Sequence, residues 1–255
     1  MILQSIIDII ESVAPRGQQE EWDNSGLQVG DTGAEIKAAL LTTDITETVV
    51  NEAIQLGCNL IISHHPLIFH GLKHLTGQTP QERCIEQCIR HNIAVYSAHT
   101  SMDKYLHGVS GRMAEKIGIT DYSILIADSD NVGLGVIGKL NKPMKTAEFV
   151  KMVKHAFGAE WIRYTCSGKD TIQTVALCGG AGAEFIQQAI AQGADAYISA
   201  DFKYHELQAA NGNIVAIDMD HWVSEHFTRD IFAELLSGKL KTYISQQDKS
   251  PIKYI

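Results

Sequence analysis

The sequence has no run of five or more basic residues, and its 30 acidic side chains outnumber 21 basic ones, a formal net charge of −9. Affinity for a nucleic-acid backbone rests on Lys and Arg neutralising phosphates, so gripping DNA or RNA is not the expected task. A phosphorylated small molecule stays open, because a metal ion or a few local donors can reverse the field inside a cleft. Nor does any stretch approach the roughly 18–20 apolar residues that a membrane-spanning helix needs. The segment MILQSIIDIIESVAP is apolar but carries Asp8 and Glu11 and has no basic leader. It reads as an amphipathic helix ending before Pro15 rather than a signal peptide. The cysteines, at 58, 84, 88, 166 and 178, are odd in number and set in apolar segments. Cys84 and Cys88 are spaced one helical turn apart, as metal ligands can be, but read better as buried thiols. A soluble, cytoplasmic protein is expected.

What is present is an ordinary globular composition, 45% hydrophobic and 20% charged, able to build a sizeable core. The length of 255 residues fits one large or two ordinary domains. Short β-branched runs alternate with helical stretches, the mark of α/β architecture. Strands are predicted over 38–43, 59–63, 93–97, 132–138, 172–178, 195–199 and 214–218. Helices are predicted over 2–13, 46–56, 79–91, 107–117, 146–157, 182–192, 203–210 and 221–236. An internal echo is visible when residues 39–65 are moved forward by 136. ALLTTDITETVVNEAIQLGCNLIISHH then lies without a gap over VALCGGAGAEFIQQAIAQGADAYISAD. HNIAVYS (91–97) and GNIVAID (212–218) are a further pair. Two similar α/β halves follow, residues 1–125 with 214–255 packing back on them, and residues 126–213.

Open α/β sheets place ligands beyond the carboxyl ends of their strands. Three such ends carry histidine with carboxylate: His64 and His65 after IIS, His99 and Asp103 after AVYSA, and Asp220, His221 and Glu225 after IVAID. Two adjacent imidazoles are awkward ligands for one ion but suit two ions side by side, about 3.5–4 Å apart. His221 and Glu225, at i and i+4, share one helix face. Mixed imidazole and carboxylate donors suit Zn, Mn, Fe, Co or Ni rather than Ca. The expected metal ligands are His64, His65, Asp103, His221 and Glu225, holding two divalent ions per chain. His99 reads as a ligand, a residue orienting one, or a catalytic group. Lys203, Tyr204 and His205 lie in the second copy of the echo, with Asp201 opposite His65, and His205 is a second candidate for moving protons. EEWDNSGLQVG (20–30) reads as a turn or as a cleft wall carrying Trp22 or Asn24. CGGAG (178–182) lacks the P-loop lysine and reads as tight backbone packing. The expected fold class is α/β, two similar halves packed together with a dinuclear metal site at strand C-terminal ends between them.

Taken in order, EEWDNSGLQVG, SHHPLIF, HTSMD, CGGAG, ADAYISADFKYHE and DMDHWVSE resemble the markers of one family over nearly the whole chain. It is the dinuclear-metal-centre family known as GTP cyclohydrolase 1 type 2-like, also called Ngg-interacting-factor-like, here in its short bacterial form. The resemblance implies a toroidal homohexamer and a two-metal site whose ligands fall on the same five residues. It also implies a metal-dependent hydrolase that opens the imidazole ring of GTP, with His99 or His205 shuttling the proton. A two-metal phosphoesterase, or a ring-shaped metal-binding or scaffold protein without turnover, is the alternative. One departure stands out: where the family often has Asp-x-Gly-His, this chain has Asp218-Met219-Asp220-His221, which puts a carboxylate beside a ligand.

Overall fold

The computed structural model describes residues 1–253 and 255. Its strands are β1 (Gly26–Val29), β2 (Ala38–Thr42), β3 (Leu60–Ser63), β4 (Ala94–Ser97), β5 (Tyr122–Ser129), β6 (Val132–Lys145), β7 (Arg163–Tyr164), β8 (Thr171–Leu177), β9 (Ala196–Ala200), β10 (Val215–Met219) and β11 (Lys241–Ile244). Its α-helices are α1 (Leu3–Glu11), α2 (Glu47–Leu56), α3 (Pro80–Arg90), α4 (Thr100–Asp103), α5 (Val109–Lys116), α6 (Thr146–Ala156), α7 (Ile186–Ala191), α8 (Tyr204–Ala210), α9 (His221–Glu225) and α10 (Thr228–Leu236). The chain forms two compact units, one of Met1–Met102 with His226–Lys249, the other of Asp103–Glu225 with Ser250–Ile255.

The first unit is built on a five-stranded sheet, ordered β1-β4-β3-β2-β11. Strands β2, β3, β4 and β11 run parallel, and β1 closes the edge antiparallel to β4. AALLT, LIIS and AVYS are buried at every residue, as parallel strands covered on both faces must be. Thr46 caps α2 by accepting the Val49 N–H, and Gly57 ends it at φ 68°, a left-handed conformation that glycine adopts without steric cost. Val49, Val50 and Ala53 of α2 and Cys84, Ile85 and Cys88 of α3 pack on Leu40, Ile61 and Val95 of the sheet. Burial pushes the Cys84 thiol up to about 11 and the Cys88 thiol to about 12, so both are protonated core residues.

The second unit holds a six-stranded mixed sheet, ordered β5-β6-β8-β9-β10-β7. Strands β8, β9 and β10 are parallel, while β5, β6 and β7 join antiparallel. The expected division at 125/126 falls inside the β5–β6 hairpin, which turns through Asn131 at φ 61°. Helix α5 packs on β6 and β8, so it belongs to this unit and carries the boundary back toward residue 102.

The internal echo is structural. Leu40 pairs with Ile61, and 136 residues later Ala176 pairs with Tyr197 in the same parallel register. The third strands agree as well, Ile61 facing Val95 in one sheet and Tyr197 facing Ala216 in the other. The single helix expected over 221–236 is two helices. α9 ends at Glu225 with the second unit, and α10, with Ile231, Phe232 and Leu236 buried, begins at Thr228 in the first.

Candidate metal centre

Strand β3 ends at Ser63, yet the backbone of the next two residues is still held by the end of β2. The His64 N–H donates to Thr42 O at 3.1 Å and the His65 N–H to Thr43 O at 3.0 Å. The Ser63 and Ser97 hydroxyls meet at 2.8 Å, and the Ala98 N–H donates to Ser63 O at 3.0 Å. These ties hold the carboxyl ends of β3 and β4 side by side and bring three imidazoles to one edge of the sheet. The ring centroids of His64, His65 and His99 are separated by 4.9, 5.3 and 5.4 Å. Each ring offers a nitrogen, and the three nitrogens lie within 4.8 Å of one another.

Every one of these rings is oriented through Nδ1. That of His64 lies 3.1 Å from Ala98 O, that of His65 2.8 Å from Asp44 Oδ1, and that of His99 2.8 Å from Asp23 Oδ1. Histidines that bind metals are held in this way, the second nitrogen donating to a carboxylate or carbonyl that fixes tautomer and ring plane. Asp23 is itself buried and also accepts from the Ser25 hydroxyl, from the Thr100 N–H and from the Thr100 hydroxyl. Burial alone would raise its pKa. The hydrogen bonds from His99, Thr100 and Ser25 outweigh burial and hold it well below the usual carboxylate range.

In the second unit, α9 follows β10 and places His221 Nε2 3.0 Å from Glu225 Oε2, while His221 Nδ1 lies 2.7 Å from Asp201 Oδ2. Burial disfavours the His221 imidazolium, but the Asp201 and Glu225 carboxylates prevail and raise its pKa to about 11. The two acids demand positive charge at this ring, which a proton supplies and a divalent cation can supply instead. Asp103, at the end of α4, acts on the same neighbourhood. Burial pushes the Cys178 thiol up, and the Asp103 and Glu225 carboxylates push it further. Imidazole nitrogens and carboxylate oxygens are the donor set of Zn, Fe, Mn, Co and Ni, and a His/Glu group able to hold a metal ion is present.

CGGAG supplies a backbone wall for Glu225, in keeping with the packing role expected of it. A Cβ on Gly180, at φ 60°, would stand 2.0 Å from Glu225 Oε1, and the Gly180 N–H donates to Ser224 Oγ at 2.9 Å. Asp220, the residue that departs from the family pattern, caps α9. Its Oδ1 accepts the Val223 N–H at 3.2 Å and its Oδ2 accepts the Ser250 hydroxyl at 3.0 Å. His205 sits on the exposed side of α8, its Nδ1 3.1 Å from Gln208 Oε1 and its ring against Tyr204. Sequence reasoning singled out the histidines but gave no role to Asp23 or Asp44. The one available signal for Asp44 was its place just past β2, in the sheet whose other strand ends carry the histidines.

The family model Duf34/NIF3 (NGG1p interacting factor 3) matches residues 1–251. A Clostridium acetobutylicum protein named GTP cyclohydrolase 1 type 2 homolog is 32% identical over 263 aligned residues, covering 99% of this chain and 98% of its own. The crystal structure of Staphylococcus aureus protein SA1388 superposes with a TM-score of 0.91 at 25% identity, covering 100% of this chain and 99% of that one. Reduced HcgD from Methanocaldococcus jannaschii follows with a TM-score of 0.82 and 28% identity, covering 97% of this chain and 98% of its own.

Proposed function

The chain belongs to the Duf34/NIF3 family, and from that premise and the three converging imidazoles we infer that it is a metal-dependent hydrolase with a two-metal centre. The ligands in this reading are His64, His65, Asp103, His221 and Glu225, and the substrate is GTP or a related nucleotide. The observation that carries it is the set of ring nitrogens of His64, His65 and His99 within 4.8 Å, each ring braced at Nδ1 by an acceptor.

Divalent ions, if bound by these residues, would supply Lewis acidity to activate water and polarise the bond to be broken. The chain's own residues do the rest. Ala98 O and Asp44 keep His64 and His65 in the tautomer that leaves Nε2 available as the donor atom. Asp201 does the same for His221. His99 is assigned the proton transfer, because Asp23 fixes its Nδ1–H and stabilises the imidazolium formed when Nε2 takes a proton. His205, exposed and paired with the neutral side chain of Gln208, is the less firmly held of the two candidates. Names given to relatives, GTP cyclohydrolase 1 type 2 homolog, support ring opening of a purine as the reaction. Assembly into a six-membered ring belongs to the same reading and is tested by mass in solution.

The decisive experiment loads the protein with each candidate metal, adds GTP and other nucleotides, and identifies products by mass. Addition of one water to give the ring-opened formyl product, or of two waters with release of formate, lost in His64→Ala and Glu225→Ala, is the expected result. Release of inorganic phosphate in its place would make the protein a phosphoesterase, and no turnover with two metals bound would make it a metal-binding protein.

A further inference from the structure

Beside His65 the first unit contains a cavity of about 470 Å³, a size in the ordinary range for small-molecule sites. Asp44, Thr46, Glu47 and His65 are among its lining residues, with Leu67 and Phe69. Phe69 also reaches outward. Its ring centroid is 6.0 Å from that of Trp22 at 53° and 6.2 Å from that of His99, while Trp22 and His99 are 5.9 Å apart. Trp22 is 59% exposed and Phe69 36%.

That exposure is not the looseness of an unanchored loop. The Asn24 side-chain amide donates to Ile68 O at 2.5 Å, and Gln28 Oε1 accepts the Ile68 N–H at 2.8 Å, which ties the Trp22 segment to the Phe69 segment. On the other side of Trp22, the Glu20 N–H donates to Thr100 Oγ1 and Asp23 is locked to His99. Two large aromatic residues thus remain exposed although the segments that carry them are held by polar ties. A tryptophan normally secures a fold by burying its ring, and this one does not.

We propose that this corner and the adjoining cavity form the subsite of an amino-substituted heteroaromatic ring, of the nucleobase class, which stacks on Trp22 or Phe69 beside His65 and His99. The two rings are tilted and too close for a parallel sandwich, so the ligand stacks on one and meets the other edge-on. The cavity's charged walls are Asp44 and Glu47, and among the described residues lining it there is no lysine or arginine. Glu47 is already paired with Arg83, at 2.8 Å. Acceptor oxygens at Asp44 and Thr46 suit the N–H donors of a base, whereas no lysine or arginine among the lining residues is there to meet a phosphate. The proposal deepens the hydrolase reading by choosing which end of a nucleotide enters, but the binding it predicts needs neither metal nor turnover.

The test titrates metal-free protein, by calorimetry, with guanosine, adenosine, cytidine and uridine, and with ribose 5-phosphate as the probe that lacks a base. At least one nucleoside is expected to bind, and Trp22→Ala and Phe69→Ala are each expected to weaken it about tenfold, as loss of a stacking partner does. Both side chains are exposed, and an unchanged thermal midpoint confirms that the variants are folded. Failure of all four nucleosides, binding of ribose 5-phosphate as tight as that of the nucleosides, or unaltered affinity in both variants overturns the proposal. Nucleoside binding with no hydrolysis of GTP or any other nucleotide by the metal-loaded protein overturns the hydrolase reading and leaves this one standing. Hydrolysis with no weakening in either variant does the reverse.

Discussion

The Nδ1 of His65 lies 2.8 Å from Oδ1 of Asp44, and the second unit repeats the arrangement where Nδ1 of His221 lies 2.7 Å from Oδ2 of Asp201. Both acids stand just past the end of a strand, Asp44 after β2 and Asp201 after β9. Asp201 adopts φ 58°, a conformation that aspartate tolerates better than most side chains. If these carboxylates set the tautomer and plane of a ligand, removing either weakens metal binding without removing a donor atom. Asp44→Ala and Asp201→Ala are expected to lower metal affinity about 10–100-fold. Competition against a chromophoric chelator measures it, and wild-type affinity in both variants would mean the rings are oriented by other contacts.

The end of β2 is also secured from far along the chain. The Thr43 N–H donates to Asp248 Oδ2 at 2.6 Å, and Arg229 reaches the same oxygen at 3.2 Å, with the Asp248 side chain 1% exposed. Asp248→Ala leaves a buried amide without its acceptor and is expected to cost about 1–3 kcal/mol of stability. A denaturant titration reads this directly. A shift of only a few tenths would show that the amide finds a replacement.

How much of this was legible follows from where each signal resides. β2, β3, β4, β9 and β10 are buried along their whole length, as parallel strands covered on both faces must be, and β8 joins them only over its buried end, Val175 to Leu177. β1 and β11 were not expected because each is four residues long and partly exposed at a sheet edge; pairing, not composition, makes them strands. β5 was hidden for a related reason, since only one of its eight residues is buried. The histidines were legible because an imidazole is conspicuous at the end of an apolar strand. Asp23 and Asp44 were not, because their roles depend on contacts spanning 76 and 21 residues of sequence. An aspartate in a turn-like stretch carries no mark of that.

Asp195 gives the second unit a pH dependence that does not involve the metal residues. Its Oδ1 takes the Lys169 ammonium at 2.6 Å, and its Oδ2 accepts the Gln173 and Thr174 N–H groups at 3.0 and 2.9 Å. Burial raises its pKa, but Lys169 and the two amides prevail and the net shift is downward. A carboxyl depressed in the folded state contributes stability above its unfolded pKa, about 4, and loses it as pH falls through the folded value. Asp195→Asn is therefore expected to be less stable than wild type at pH 7, with the gap closing below about pH 4. Urea midpoints at pH 7 and pH 3 test this, and a gap of constant size would assign the effect to lost packing.

Gly180 offers the sharpest separation between holding a ligand and holding the fold. At φ 60° it sits where an added Cβ would come within 2.0 Å of Glu225 Oε1 and 2.9 Å of its Cδ. Glu225 is 3% exposed, so its carboxylate has little room to retreat. Gly180→Ala is expected to displace that carboxylate and reduce the metal bound per chain. The backbone strain of alanine at positive φ is a separate cost, and Gly57 isolates it, because at φ 68° a Cβ there meets nothing within 4 Å. Gly57→Ala should lower stability by about 1 kcal/mol and leave metal content unchanged. Metal content measured by elemental analysis of both variants, each confirmed folded, decides the matter. Full metal loading in Gly180→Ala would remove Glu225 from the ligand set, and equal loss in both variants would reduce the effect to general destabilisation.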